Sequence, residues 1–284
     1  MKKYRLLVIG NSFSEDALYY LHAMAQAYGI DLEAVNLYIG GCSLERHWIN
    51  LETGRQAYAY QKNGQPTGRM ISIQEALQEG PWDFIVTQQS SFDSGWADTY
   101  EPFLGLLISR LKAADAAEFS QQEPAALNGA EVSRREPADS DAAKLFLHQT
   151  WAYETDSKHE QFMRYHRNQK EMYARLTACY WAEANRYDLP LIPSGDLIQK
   201  LRESGRFGAG ENRIPICRDG HHMNYLYGRY ALACIWLKTL FPMQLQDCLF
   251  VPTVQQTVEG EKKADADPEI LRQIRDMAQA LECV

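Results

Sequence analysis

Four consecutive apolar residues, Leu6-Leu7-Val8-Ile9, stop at Gly10, and a helical pattern follows almost at once. A short apolar run closed by glycine reads as a buried strand, and the polar step Asn11-Ser12 reads as a helix start. Strand, tight turn and helix N-terminus in that order belong to α/β architecture. Ser12 then stands at the carboxyl edge of a sheet, where open α/β folds bind ligands. Its amide and those beside it point into the same space, so an anion forming there is stabilised. The same residues also fit the capping pattern S-x-x-E, with Ser12 and Glu15, in which the serine does no more than start a helix.

The chain continues in the same alternation. Ala17, Leu18, Leu21, Met24, Ala25 and Tyr28 recur at helical spacing, and Gly29 closes that helix. Leu32–Ile39 predicts a second strand ending at Gly40-Gly41. Residues 51–70 predict a surface excursion with a hairpin, Ala57 to Tyr60 and a turn at Asn63-Gly64. A short helix over Ser72–Glu79 precedes the strand Trp82–Thr87. An amphipathic helix over Pro102–Ala114 follows. Residues 115–143 are rich in Ala, Glu, Gln, Ser and Asp and predict a mobile insertion. Leu145–Trp151 is a fourth strand, and a long helix runs from about Lys158 to Tyr187. Leu189–Pro193 is a fifth strand. Helices at Gly195–Glu203, Leu226–Leu240 and Pro268–Leu281 complete the chain, with a C-terminal helical extension from about 255. Five strands alternating with helices predict a parallel sheet covered on both faces, a flavodoxin-like three-layer α/β/α domain spanning residues 1–284.

Composition narrows the partners. The net charge of −8 argues against nucleic acid or an anionic membrane as the partner of the whole molecule. The 6 cysteines are scattered without C-x-x-C pairs, which speaks for reduced thiols rather than a disulfide framework or a zinc knuckle. The apolar run near the N-terminus is too short for a signal peptide, and no stretch is long enough for a membrane span. A cytoplasmic protein is the expectation. Gly10 is the only glycine of its turn, so a dinucleotide fingerprint is excluded. No metal or cofactor is expected, since His221-His222 are adjacent and His159 and His166 are seven apart, unlike a zinc motif. His159 and His166 read as exposed helix residues.

The second candidate for chemistry is Arg218-Asp219-Gly220-His221-His222-Met223-Asn224. Asp219 and His222 are three apart in a loop turning into a helix. That spacing lets the carboxylate hold one imidazole nitrogen while the other faces outward, as a nucleophile's base requires. The alternative is a helix-capping Asp beside two surface histidines.

Gly10-Asn11-Ser12-Phe13 resembles the first block of the SGNH (GDSL-like) hydrolases. Asn36 to Gly41 with Ser43 resembles their second block, and Asp219-Gly220-His221-His222 their last, D-x-x-H. The order of blocks is the family's, and the likeness runs from residue 4 to about 240, in a bacterial branch marked by G-N-S-F-S. The resemblance implies a carboxylic ester hydrolase with Ser12 as nucleophile, His222 as base and Asp219 behind it. It also implies an oxyanion hole from the amides of Ser12 and Gly41 and a side-chain amide after the third strand. There this chain has Gln88-Gln89 where the family has G-x-N; Gln89 is taken as the donor, with Gln88 the neighbouring register. Asn11 stands in place of the usual Asp of the first block.

Arg46, His47 and Trp48 follow the second block, Trp96 follows the third, and His148, Trp151 and Tyr153 follow the fourth strand. Loops at one sheet edge would place these, with Gln88, round one cleft, where aromatic faces suit a sugar ring. A short-chain (acetyl) ester on a carbohydrate or similar small molecule is the expected substrate. Packing in the core is the other reading of Trp151 and Tyr153. Two other functions fit the same blocks: a catalytically silent carbohydrate-binding or ligand-binding protein, and an acyltransferase.

Overall fold

A computed structural model describes residues 2–121, 142–253 and 266–282. Its centre is a seven-stranded sheet of order β4-β3-β2-β1-β5-β6-β7. The strands are β1 (Lys3–Gly10), β2 (Asp31–Tyr38), β3 (Tyr58–Lys62), β4 (Gln65–Ile71), β5 (Phe84–Thr87), β6 (Lys144–His148) and β7 (Leu191–Ile192). β2-β1-β5-β6-β7 are parallel, and the β3–β4 hairpin extends the sheet antiparallel beyond β2. The five parallel strands keep the flavodoxin-like order expected from the alternation. The two additional strands correct one expectation. The hairpin at 58–71 is exposed along Gln65–Met70 as expected, but it is part of the sheet: Tyr58 is fully buried, and Asn36 pairs with Gln61.

β1 is the middle of the parallel group, and Leu6, Leu7, Val8 and Ile9 are all at 0% exposure. A strand covered on both faces reads as a continuous apolar run rather than an alternating one. Each such side chain contributes about 1.5–3 kcal/mol of burial free energy. Helices α1 (Ser12–Leu18) and α2 (Leu21–Ala27) pack with α8 (Tyr227–Leu240) on one face. α7 (Ser194–Glu203) and α9 (Pro268–Gln279) join α8 there. α3 (Leu44–Glu52), α4 (Ile73–Gln78) and α5 (Phe103–Gln121) contact one another in a second group. α6 (Gln169–Tyr187) runs between β6 and β7 in sequence.

Local chemistry accounts for the boundaries. Ser72 caps α4 in a reciprocal capping box with Glu75. Asn168 caps α6, and Asp267 caps α9 ahead of Pro268. The long helix expected from Lys158 is split. A 3-10 segment, Glu160–Tyr165, ends where His166 and Arg167 take left-handed backbone, and α6 starts after it. The first helix is likewise split at Tyr19-Tyr20. α5 runs to Gln121, into the segment expected to be a mobile insertion, whose stretch 122–141 lies outside the described residues. The start of the expected C-terminal extension, 254–265, lies outside them too. Cys42, Cys179, Cys217, Cys234 and Cys248 are free thiols. No helix among the described residues is long and apolar enough to cross a membrane.

Gly10 joins β1 to α1, and the approach there is close. A Cβ on Gly10 would come within 2.3 Å of Ser14 Oγ and 2.8 Å of Ser14 Cβ. Ser14 Oγ in turn sits 2.7 Å from the Asn11 carbonyl and 2.8 Å from Asn36 Oδ1. The first turn of α1 is thus packed directly on the end of β1. Gly10→Ala is expected to destabilise the protein by about 1–3 kcal/mol through overpacking. A urea unfolding curve checks this, and a stability equal to wild type would show that the turn yields.

Candidate active site

The parallel strands end on one edge, and the segments leaving them carry the candidate residues. Ser12 is the first residue of α1. Its amide has no acceptor inside the helix. The capping task falls to Asn11, whose Oδ1 accepts from the Phe13 amide at 3.0 Å. Glu15, the other half of the alternative capping pattern, is bonded by Gln61 Nε2 at 2.5 Å instead. Ser12 is therefore released from capping, and its side chain is partly exposed.

Asn11 does more than cap. Its Nδ2 donates to the Cys42 carbonyl at 3.1 Å, a bond that an aspartate could not make. This fastens the β2–α3 turn to the start of α1. In that turn Cys42 N bonds back to the Ile39 carbonyl, while Gly41, with φ +59°, is exposed. The amides of Ser12 and Gly41 belong to the two segments that Asn11 ties together.

The 218–223 loop supplies the imidazole. Asp219 Oδ1 accepts from the amides of His221 and His222 at 3.1 and 2.8 Å, and Oδ2 lies 2.7 Å from His222 Nδ1. Asp219 caps no helix, since α8 starts only at Tyr227; one of its oxygens closes a turn and the other orients the His222 ring. Burial alone would raise the Asp219 pKa, but the His222 bonds and the two neighbouring imidazoles outweigh it and hold the carboxyl well below its usual range. His222 Nε2 makes no hydrogen bond with any described residue. The His222 ring meets Phe13 edge to face with centroids 6.0 Å apart, beside the first turn of α1.

What holds this loop to α1 was not legible as a motif. Asp16 is at 0% exposure, one helical turn beyond Ser12. Its Oδ1 accepts from Arg218 Nη1 and Arg229 Nε, both at 2.8 Å, and its Oδ2 from the Met223 amide at 2.8 Å. The helical spacing of Ser12 and Asp16 is the only signal the chain carries for it. Trp151 gives a second fastening. Its ring stacks on Phe13 at 3.9 Å and 8°, and its Nε1 donates to the His221 carbonyl at 2.7 Å.

Several residues expected in a cleft are instead structural. Trp151 and Tyr153 are fully buried; the Tyr153 hydroxyl pairs with Ser91 at 2.8 Å. His47 is fully buried with Nδ1 2.9 Å from the Tyr58 hydroxyl. His148 is fully buried between Gln88 Oε1 and Ser194 Oγ. Desolvation pushes both His47 and His148 down to about 3, so each is a neutral core residue. Trp96 is bracketed by the guanidinium groups of Arg164 and Arg175, each 4.9 Å from its ring. Both glutamines are engaged inside. Gln88 Nε2 donates to Asn11 Oδ1 at 2.6 Å. Gln89 Nε2 donates to the Thr99 carbonyl at 2.9 Å, and its Oε1 accepts from the Leu44 amide at 3.0 Å. The oxyanion role expected of Gln89 is thereby corrected: its carboxamide braces α3 against the loop after β5. Arg46 and Trp48 remain exposed and partly exposed at the start of α3.

His159 was also misplaced by its apparent helical setting. It precedes the 3-10 segment, half-buried, with its ring 4.9 Å from that of His221. A cleft of about 410 Å³ lies against the loop, lined by Glu154, Asp156, Lys158, Gly208–Gly210 and Pro215–Gly220.

The family described as "Domain of unknown function (DUF4886)" matches residues 5–267. The chain belongs to the DUF4886 family. A crystal structure of a DUF4886 family protein from Bacteroides uniformis is 32% identical to it. The match covers 98% of this chain and 94% of that one, with a TM-score of 0.77. At lower identity the fold recurs in a protein from Slackia heliotrinireducens provisionally classed as an SGNH hydrolase. That match has 18% identity, 84% and 100% coverage and a TM-score of 0.53. It recurs again in a variant of the acetyl-xylooligosaccharide esterase Axe2 from Geobacillus, at 12% identity, 83% and 93% coverage and a TM-score of 0.50. No curated protein matches the chain. The DUF4886 chain thus has an SGNH-like α/β/α fold.

Two outcomes follow for the DUF4886 chain. Asp16→Asn leaves the buried Arg229 and the more exposed Arg218 without their anion and is expected to cost about 3 kcal/mol in urea unfolding. Amide exchange should accelerate across 218–223 more than in β1; an unchanged rate there would remove the clamp. The second outcome concerns pH. In the unfolded chain His47 and His148 take up protons near pH 6.5, while in the folded chain they do so only near 3. Stability from these groups is complete above 6.5 and is lost as pH falls from there toward 3. Urea midpoints at pH 7.5 and 5 should drop in wild type and drop less in His148→Asn.

Proposed function

We infer that this protein is a serine hydrolase of carboxylic esters. Ser12 Oγ attacks the ester carbonyl, and its proton passes to His222 Nε2. Asp219 holds the ring through Nδ1 and stabilises the imidazolium. The carbonyl oxygen gains charge in the tetrahedral intermediate and is held by the amides of Ser12 and Gly41. His222 returns the proton to the leaving alkoxide. Water then attacks the acyl-Ser12 ester, with His222 again as base, and releases the acid and free serine. Two backbone amides are a sufficient oxyanion hole for this chemistry, so the engagement of Gln89 elsewhere is compatible with it.

The observation that carries the reading is the Asp219 Oδ2–His222 Nδ1 pair at 2.7 Å, on a loop that Asp16 fastens to the helix headed by Ser12. A loop built only to cap a helix needs no carboxylate aimed at an imidazole. The substrate we propose is a short-chain ester of a carbohydrate or similar polar alcohol. Support comes from the fold shared with an acetyl-xylooligosaccharide esterase.

The test is hydrolysis of p-nitrophenyl acetate by wild type and Ser12→Ala, purified side by side. Wild type should turn over the ester, and Ser12→Ala should lose on the order of a thousand-fold or more in kcat/KM. Acetylated xylo-oligosaccharides should then be deacetylated by wild type alone. Equal rates for the two proteins would overturn Ser12 as nucleophile. A serine-reactive phosphonate that labels neither protein would overturn the hydrolase reading altogether.

A further inference from the structure

Adjacent residues usually send their side chains apart, but His221 and His222 lie with ring centroids 4.0 Å apart and planes inclined by 43°. Gly220 precedes the pair in left-handed backbone, with φ +83°. A Cβ there would come within 2.8 Å of Ser157 Cα, so the loop is pressed against the 154–159 segment. That contact is also what brings His159 beside His221, at 4.9 Å. Asp219, His221 and His222 each present one ligand atom, and these atoms all lie within 4.8 Å of one another.

We propose that Asp219, His221 and His222, with His159 at the rim, bind a divalent transition metal such as Zn²⁺. Imidazole nitrogens with one carboxylate oxygen are a donor set suited to this class of ion. In a tetrahedral zinc site the donor atoms stand about 3.4 Å apart. The side chains must therefore close by up to about 1.4 Å, and His221 and His222 are mobile enough at the surface, with side chains 19% and 22% exposed. In sequence Asp219, His221 and His222 stand together, but His159 is more than sixty residues away.

The effect on activity rests on the hydrolase reading; the binding does not. Asp219 and His222 cannot hold a metal and serve Ser12 at the same time, so Zn²⁺ is an inhibitor by occupation of the base.

Zn²⁺ titration calorimetry of wild type, Ser12→Ala and His221→Ala tests the site, with Co²⁺ absorption as a second readout. Wild type and Ser12→Ala should each bind one Zn²⁺ per chain, with visible Co²⁺ bands of nitrogen and oxygen coordination. His221→Ala should bind at least ten-fold more weakly, and His159→Ala should be weakened less. If thermal melting shows His221→Ala unfolded, His159→Ala decides. In wild type Zn²⁺ should suppress ester hydrolysis and EDTA should restore it. Absence of stoichiometric binding, or undiminished binding in the variant that folds, overturns the proposal. A wild type inactive on every ester overturns the hydrolase reading and leaves the calorimetry to stand by itself.

Discussion

The buried carboxylate of Asp16 is the interaction on which the site depends. It joins α1 to segments more than two hundred residues away, through Arg218, Arg229 and the Met223 amide. A charge taken out of water is costly unless its partners are complete. Asp16 has two guanidinium groups and a backbone N–H, so the arrangement is stable only when helix and loop are in register. That requirement turns an electrostatic contact into a positioning device. Ser12 is one turn away on the same helix, and His222 precedes Met223 in the loop.

A second network braces the strand ends from inside. Ser194 donates to His148 Nε2, His148 Nδ1 to Gln88 Oε1, Gln88 to Asn11 Oδ1, and Asn11 Nδ2 to the Cys42 carbonyl. The direction of donation sets the His148 tautomer, with its proton on Nδ1. The chain of bonds crosses from the end of β7 to the turn after β2, and its side chains are all buried. A fully satisfied polar network of this kind rigidifies an edge that would otherwise be a row of loops. Near the same edge Ser12 is partly exposed, Gly41 is exposed, and His222 Nε2 bonds to no described residue.

Burial explains which residues misled a reading of the chain. His148 ends β6, and His47, Trp151 and Tyr153 follow strands, as binding residues of α/β folds do, yet all are at 0% exposure. Trp151 still matters to the site, but as a plate between Phe13 and the His221 carbonyl rather than as a face for a sugar. Gln89 has the chemistry of an oxyanion donor and the wrong orientation. The hairpin at 58–71 was visible as a hairpin, but its attachment to β2 depends on a partner strand in another part of the chain.

The sequence by itself determined the parallel α/β order, the strand–turn–helix at Gly10 and Ser12, and the local Asp219–His222 pair. Each of these is written in contacts a few residues apart or in apolar periodicity, and both are readable without knowing the fold. Only the tertiary structure decided that Asn11 rather than Ser12 caps α1, that Asp16 clamps the histidine loop, and that His159 stands beside His221. Which of several identical donors and acceptors a side chain meets depends on burial and on partners far along the chain. A hydrogen bond is worth little beyond its exchange with water until desolvation makes its loss costly, and desolvation is a property of the packed molecule.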